Sequence, residues 1–140
     1  MNKIKDLTLI VPTYNRPKYA IRQLNYWSET GVCLHVLDGS NESINESLYD
    51  KSNPNVNYHH LSNTSIEDRF GYAINLINTK YSALISDDEF FIPSGIEKCI
   101  TNIEVNNLVA CKGLCFLFNY INGNVLGKQT YKPLKGHKIN

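Results

Sequence analysis

Leu7-Thr8-Leu9-Ile10-Val11-Pro12-Thr13-Tyr14-Asn15-Arg16-Pro17 is the stretch from which the fold class follows. Its first five residues are apolar or β-branched, the composition of a buried strand, and Pro12 predicts the strand's end because proline has no N–H to give a ladder. Asn15-Arg16-Pro17 then offers a cap and a proline at the first helical position. Ala20, Leu24 and Trp27 recur at helical spacing until Gly31.

The same alternation continues outward. Cys33-Leu34-His35-Val36-Leu37 reads as a second buried strand, stopped by Asp38-Gly39-Ser40 and a linker-like Asn/Ser/Glu segment over residues 41–57. Val56 to Leu61 reads as a third, shorter strand. Ser65 with Asp68 forms a capping-box start to a helix whose stripe is Ile66, Phe70, Ala73 and Ile77. Tyr81-Ser82-Ala83-Leu84-Ile85 is a fourth strand and runs into Ser86-Asp87-Asp88-Glu89. After Pro93, Ser94 and Glu97 predict a second capping box, with Ile96, Ile100 and Ile103 on one helical face. Leu108 to Phe118 reads as a last strand that turns at Asn122-Gly123-Asn124. Strands that are continuous apolar runs, alternating with helices, imply an α/β fold with a mainly parallel central sheet covered by helices on both faces.

The 140 residues are one domain's worth, and 42% hydrophobic residues suffice for a packed core. A net charge of +1 argues against a nucleic-acid-coating surface. The charge is unevenly spread: no acid follows Glu104, whereas Lys112, Lys128, Lys132, Lys135 and Lys138 do, so a basic end follows a first segment of net charge −4. Cys33, Cys99, Cys111 and Cys115 lack the spacing of a disulfide scaffold or a zinc site, and His59, His60 and His137 complete no ligand motif. The run from Leu7 to Val11 is too short for a signal-peptide core, and no window has the ~20 apolar residues of a membrane span. The expectation is a cytoplasmic chain with reduced thiols, a peripheral position at the inner membrane face being left open.

Ligands of open α/β sheets bind outside the carboxyl ends of the strands. The polar residues there are Thr13-Tyr14-Asn15-Arg16, Asp38-Gly39-Ser40 and Asp87-Asp88-Glu89. Asp38 and Gly39 also suit a plain turn. Three successive acids at a sheet rim repel one another unless a cation neutralises them, and oxygen-only ligation points to Mg²⁺ or Mn²⁺ bridged to phosphates. No Gly-x-Gly-x-x-Gly or Walker loop follows the first strand, and no acidic pair of the receiver type does either. A nucleoside diphosphate lying across the sheet edge is the ligand this pattern suggests.

Leu9 to Pro17, Val36-Leu37-Asp38-Gly39-Ser40, and Leu84-Ile85-Ser86-Asp87-Asp88-Glu89 with Pro93 behind it together resemble a family 2 glycosyltransferase of the GT-A fold. The three motifs stand in the family's order across most of residues 7–105. The resemblance implies a GT-A-like (Rossmann-like) sandwich and inverting transfer of a sugar from a nucleotide-sugar donor, a UDP-sugar by preference, to an acceptor hydroxyl on a glycan, a lipid-linked sugar or a protein. It implies a donor site drawn from Thr13, Tyr14, Asn15, Arg16, Asp38, Arg69 and Asp87. Within it Thr13 meets base or ribose, Asp38 the nucleobase, Arg69 the uracil or phosphate region and Asp87 the ribose. Asp88 holds Mn²⁺ or Mg²⁺ on the diphosphate.

The chain departs from the family pattern in three places. Leu37 and Ser86 stand where many members carry an acid. The general base that deprotonates the acceptor lies downstream of the metal motif in the family, and no carboxylate follows Glu104 here, leaving His137 as the only group that titrates near neutrality. The expectation is therefore a donor-binding portion with the acceptor half absent from the chain. The alternatives are a catalytically inactive nucleotide-sugar-binding or interaction module and, less well matched, another metal-dependent nucleotidyl or phosphoryl transferase. Leu114, Phe116, Leu117 and Phe118, if left uncovered, predict self-association.

Overall fold

Four of the expected strands form one all-parallel sheet in a computed structural model that describes residues 3–122 and 124–131. The chain divides into two units, Met1–Glu97 and Lys98–Asn140. The first holds β1 (Leu7–Thr13), α1 (Pro17–Trp27), β2 (Cys33–Asp38), β3 (Val56–His60), α2 (Ile66–Ile74) and β4 (Tyr81–Leu84), and the boundary falls inside α3 (Pro93–Asn106). The second continues with the antiparallel pair β5 (Cys115–Ile121) and β6 (Asn124–Tyr131). Lys132, Lys135, His137 and Lys138 of the basic end, and Gly123 of the predicted turn, lie outside the described residues.

The strand order is β3-β2-β1-β4, so the chain moves one way from β1 to β2 and the other way from β3 to β4. Right-handed crossovers in opposite directions put α1 and α2 on opposite faces of the sheet. Leu9 and Val11 of β1 and Leu34 and Val36 of β2 share one pleat face and are fully buried, as are Ala20, Leu24 and Trp27 of α1, which packs on β2 and β3. Ile10 and Leu37 share the other pleat face and cluster with Ala73 of α2, flanked by Leu61 and Leu76. Each fully buried aliphatic side chain contributes roughly 1.5–3 kcal/mol of transfer free energy.

Several boundaries differ from the expectation for physical reasons. Pro12 does not end β1. It pairs with Leu37 on the β2 side, while the β4 side of the ladder closes one step earlier with the Ile85 N–H on the Ile10 carbonyl at 3.1 Å. Successive residues of a strand aim their polar groups to alternate sides, so the donor that Pro12 lacks would face β4 where β4 has already left the sheet. α1 begins at Pro17 as expected, but its N-cap is Arg16, without a side-chain cap bond, and Asn15 stands in the left-handed region at φ 54°. α3 begins at Pro93, so Ser94 lies within its first turn and Glu97 just beyond it, and the Ile92 carbonyl accepts from Gly95 and Ile96 at 2.8 and 3.1 Å. Proline's fixed φ suits that first position and moves the cap from Ser94 to Ile92, two residues back. The Ser65–Asp68 capping box is formed from both sides, but the sheet-facing residues of α2 are Arg69 and Ala73, with Ile66 38% exposed and Ile77 beyond the helix. Residues 108–114 are irregular. The predicted last strand starts only at Cys115, after Asn107 at φ 49° has ended α3 and Cys111-Lys112-Gly113 has passed as loop.

On the α2 face of the sheet, His35 Nδ1 lies 3.0 Å from His59 Nε2, the Tyr72 hydroxyl 3.2 Å from His59 Nδ1, and Cys33 Sγ 3.4 Å from His35 Nε2. Burial, with His59 adjacent, pushes the His35 imidazole down to about 4, and burial lowers His59 as well. A base whose folded pKa lies below its unfolded value takes up its proton first in the unfolded chain. Stability is therefore full above pH about 6.5 and falls as the pH drops toward 4, by on the order of 2 kcal/mol for His35. Thermal melts between pH 7.5 and 4.5 should show this slope in the wild type and a shallower one in His35→Gln. Parallel slopes would assign the acid lability to other groups.

Candidate functional site

β4 leaves the sheet before β1 ends, and the carboxyl ends of these two strands stand at the point where the strand order reverses direction. Such switch points are where open α/β sheets bind ligands. Thr13 closes β1 there, and its hydroxyl donates to Asp87 Oδ2 at 2.7 Å. Asp87 is buried, and its other oxygen accepts from Arg16 Nη1 at 2.7 Å. Arg16 Nη2 reaches Asp88 Oδ2 at 3.0 Å, so one guanidinium bridges both carboxylates. The Arg16 side chain is 39% exposed and that of Asp88 48%. The Asp88 hydrogen bond raises the Arg16 pKa, so the guanidinium stays charged.

The acids therefore have a resident counter-charge that the spacing of the sequence did not reveal. Two carboxylates against one guanidinium leave a net negative charge on a half-exposed rim. Glu89 turns back on its own loop, accepting from the Ser86 N–H at 3.4 Å. Among the described residues no three His, Cys, Asp or Glu side chains converge as a metal cluster. The donor set nonetheless fits a hard divalent cation that draws its remaining ligands from phosphate and water. Asp88 is the accessible oxygen donor of the pair, and a cation there would compete with the Arg16 arm at 3.0 Å.

Gln23, which the sequence reading passed over, holds the acidic loop in place. Its side-chain amide donates to the Asp87 and Glu89 carbonyls at 3.0 and 2.6 Å, and its carbonyl accepts from the Trp27 indole N–H at 2.9 Å. A fully buried glutamine four residues before a buried tryptophan is the signal that could have marked it. Arg22 adds a bond to the Asp87 carbonyl at 3.3 Å and lies over the rings of Tyr19 and Phe90.

The end of β2 is built as a second brace. Asp38 is buried; Oδ1 accepts from the Ser40 N–H at 2.9 Å and from the Ser40 hydroxyl, and Oδ2 from the Tyr58 hydroxyl at 2.7 Å. Burial, with Asp38 as acceptor, pushes the Tyr58 hydroxyl well above its ordinary pKa, so it remains a donor at neutral pH. The Ser40 hydroxyl also accepts from the Asn15 N–H at 2.7 Å, which accounts for the left-handed turn at Asn15. Tyr14 beside it is 53% exposed and has no anchoring role.

Arg69 is not the surface residue that its position near a helix start would permit. It is 6% exposed, and its guanidinium donates to the carbonyls of Thr13, Leu37 and Ser65 at 2.6, 3.3 and 3.3 Å. It joins the ends of β1 and β2 and forms no ion pair with a carboxylate among the described residues. Gly39 lies against it, and a Cβ there would stand 2.8 Å from Arg69 Cζ. The site thus brings Thr13, Arg16, Asp87 and Asp88 together. Asp38, Asn15 and Arg69 brace the adjoining turn.

Gly39→Ala should cost about 1–3 kcal/mol in chemical denaturation through overpacking against Arg69. In an Arg69→Ala background the same change should cost much less. Equal costs in both backgrounds would show that the clash lies elsewhere. No protein-family model matches the chain, and no characterised protein matches its sequence significantly.

Proposed function

We propose that the cleft between the ends of β1 and β4 binds the nucleoside diphosphate of a nucleotide sugar, and that the chain is the donor-binding portion of a GT-A glycosyltransferase of family 2 type. One observation carries the reading: a half-exposed Asp88 stands beside a buried Asp87 that Thr13 and Arg16 fix at the switch point of a parallel sheet. The fold supports it at the level of a Rossmann-like α/β sheet with four parallel strands. The motif resemblance supplies the finer GT-A assignment, the sugar chemistry and the preference for uridine.

In this reading Asp88 holds Mn²⁺ or Mg²⁺, and Asp87, already fixed by two donors, orients the ribose side of the cleft. A divalent cation there supplies Lewis-acid stabilisation of the charge that develops on the diphosphate leaving group. Thr13 sets the spacing between β1 and the acidic loop. Asp38 acts toward the base through the turn it braces, since each of its oxygens has a protein partner. Tyr14 offers an exposed ring beside the cleft. A second reading is a nucleotide-sugar-binding module without catalysis, since both oxygens of the buried Asp87 already have protein partners and Asp88 is paired with Arg16.

Thermal stability with UDP and Mn²⁺, Mg²⁺ or EDTA distinguishes a donor site from none. A ligand at a hundredfold excess over its Kd stabilises the fold by about 2.7 kcal/mol, an upward shift of several degrees. The shift should require the metal and should disappear in Asp88→Asn, whose own stability stays near that of the wild type. Absence of a shift with every nucleoside diphosphate would overturn the donor-site reading. Hydrolysis or transfer of a bound UDP-sugar would then favour the enzyme over the inactive module. Self-association belongs to the same proposal, because Leu114, Phe116, Leu117 and Phe118 are 63, 50, 45 and 57% exposed. Size-exclusion chromatography should show concentration-dependent species that Phe116→Ser/Phe118→Ser reduces. A monomer at all concentrations would refute it.

A further inference from the structure

We propose that Arg16 is a displaceable counter-ion that makes metal uptake at Asp88 depend on the diphosphate arriving with it; this rests on the donor-site reading above. The two bonds of the Arg16 fork are unequal. The Asp87 arm is 2.7 Å and ends on a carboxylate that is 4% exposed, whereas the Asp88 arm is 3.0 Å and ends on one that is 48% exposed. The Asp87 oxygen would be left buried and short of a partner if Arg16 departed altogether, a costly state. The Asp88 oxygen would simply be hydrated. Arg16 can therefore let go of Asp88 while keeping Asp87. The Tyr19 ring already lies 4.1 Å from Arg16 Cζ with both arms closed, a cation–π contact that does not depend on the Asp88 arm.

Charge balance sets the order of events. A divalent cation binding alone would, with Arg16 and Arg22, put four positive charges against the three of Asp87, Asp88 and Glu89, and it would have to displace a cation already tethered in place. A diphosphate brings at least two negative charges, so the metal and Arg16 can be held together. By linkage, a diphosphate that favours metal binding is itself favoured by the metal to the same extent. Arg16 thereby disfavours the metal-loaded, nucleotide-free site.

The test is Mn²⁺ titration of the purified chain, read from the electron paramagnetic resonance signal of free Mn²⁺, first without nucleotide and then with saturating UDP. Without nucleotide, Arg16→Gln should bind Mn²⁺ about three- to tenfold more tightly than the wild type, the range expected for removing a partly exposed competing ion pair. The gain should vanish in Arg16→Gln/Asp88→Asn. With UDP the single variant and the wild type should converge, because Arg16 no longer competes. Circular dichroism establishes that the variant is folded. If Arg16→Gln does not fold, Arg16→Lys, which keeps a cation and loses the fork, carries the test and should give a smaller gain. A folded variant that binds Mn²⁺ no more tightly than the wild type without nucleotide overturns the proposal. The first arm uses metal alone, so it stands or falls separately from the donor-site reading, which fails if UDP with Mn²⁺ leaves the wild type's melting unchanged.

Discussion

A buried carboxylate must have partners for both its oxygens, and Asp87 finds them on the first strand and in the loop that follows it. Thr13 and Arg16 supply those partners across more than seventy residues of chain. The nearby irregularities serve this contact. β1 can continue past its ladder with β4 because Pro12 has no donor to leave unpaired there. Arg16 occupies the N-cap of α1 without capping it, its guanidinium being committed to the acids. Gln23 holds the carbonyls of the acidic loop from the helix side and is held in turn by Trp27. The helix that fills one face of the sheet thus also sets the position of the loop above it.

The turn after β2 solves a different problem with similar means. Arg69 brings a full positive charge into the interior and meets only carbonyl oxygens there. Such a group gains from hydrogen bonds but keeps its charge, so its presence favours anions nearby. Asp38, the nearest acid of the turn, is occupied by Ser40 and Tyr58. The two braces differ in charge: an acidic rim lies at the end of β4, and a buried cation lies beneath the ends of β1 and β2.

Much of this organisation was legible in the residues. Apolar runs marked β1, β2 and β4, a less clean alternation over Val56 to Leu61 marked β3, Ser65 and Asp68 marked the start of α2, and Asp87-Asp88 marked the rim. What was not legible depended on direction in space. Whether a proline ends a strand depends on which neighbour its nitrogen faces, and the one-dimensional pattern does not contain that. Ser94 and Glu97 had the spacing of a cap but lost the position to Pro93. Arg69 was expected at the uracil or phosphate region, and its burial on backbone carbonyls depends on the Gly39 turn packed against it. Gln23 and His35 were polar residues within apolar patterns, and there the sequence did carry a signal of buried hydrogen bonding.

The separation of Thr13 from Asp87 bears on folding kinetics. β1 precedes the other strands of the sheet in the chain and lies in the interior of the sheet, yet its site-forming contact waits for a partner 74 residues later. Closing so long a loop is entropically costly, and the β1–β2 pairing is available much sooner. The β1–β4 junction is then the natural late step, formed after the barrier for the rest of the sheet has been crossed. A small molecule seated across that junction would lengthen the lifetime of the folded chain by slowing its opening, while leaving the rate at which new chains reach the native state almost unchanged.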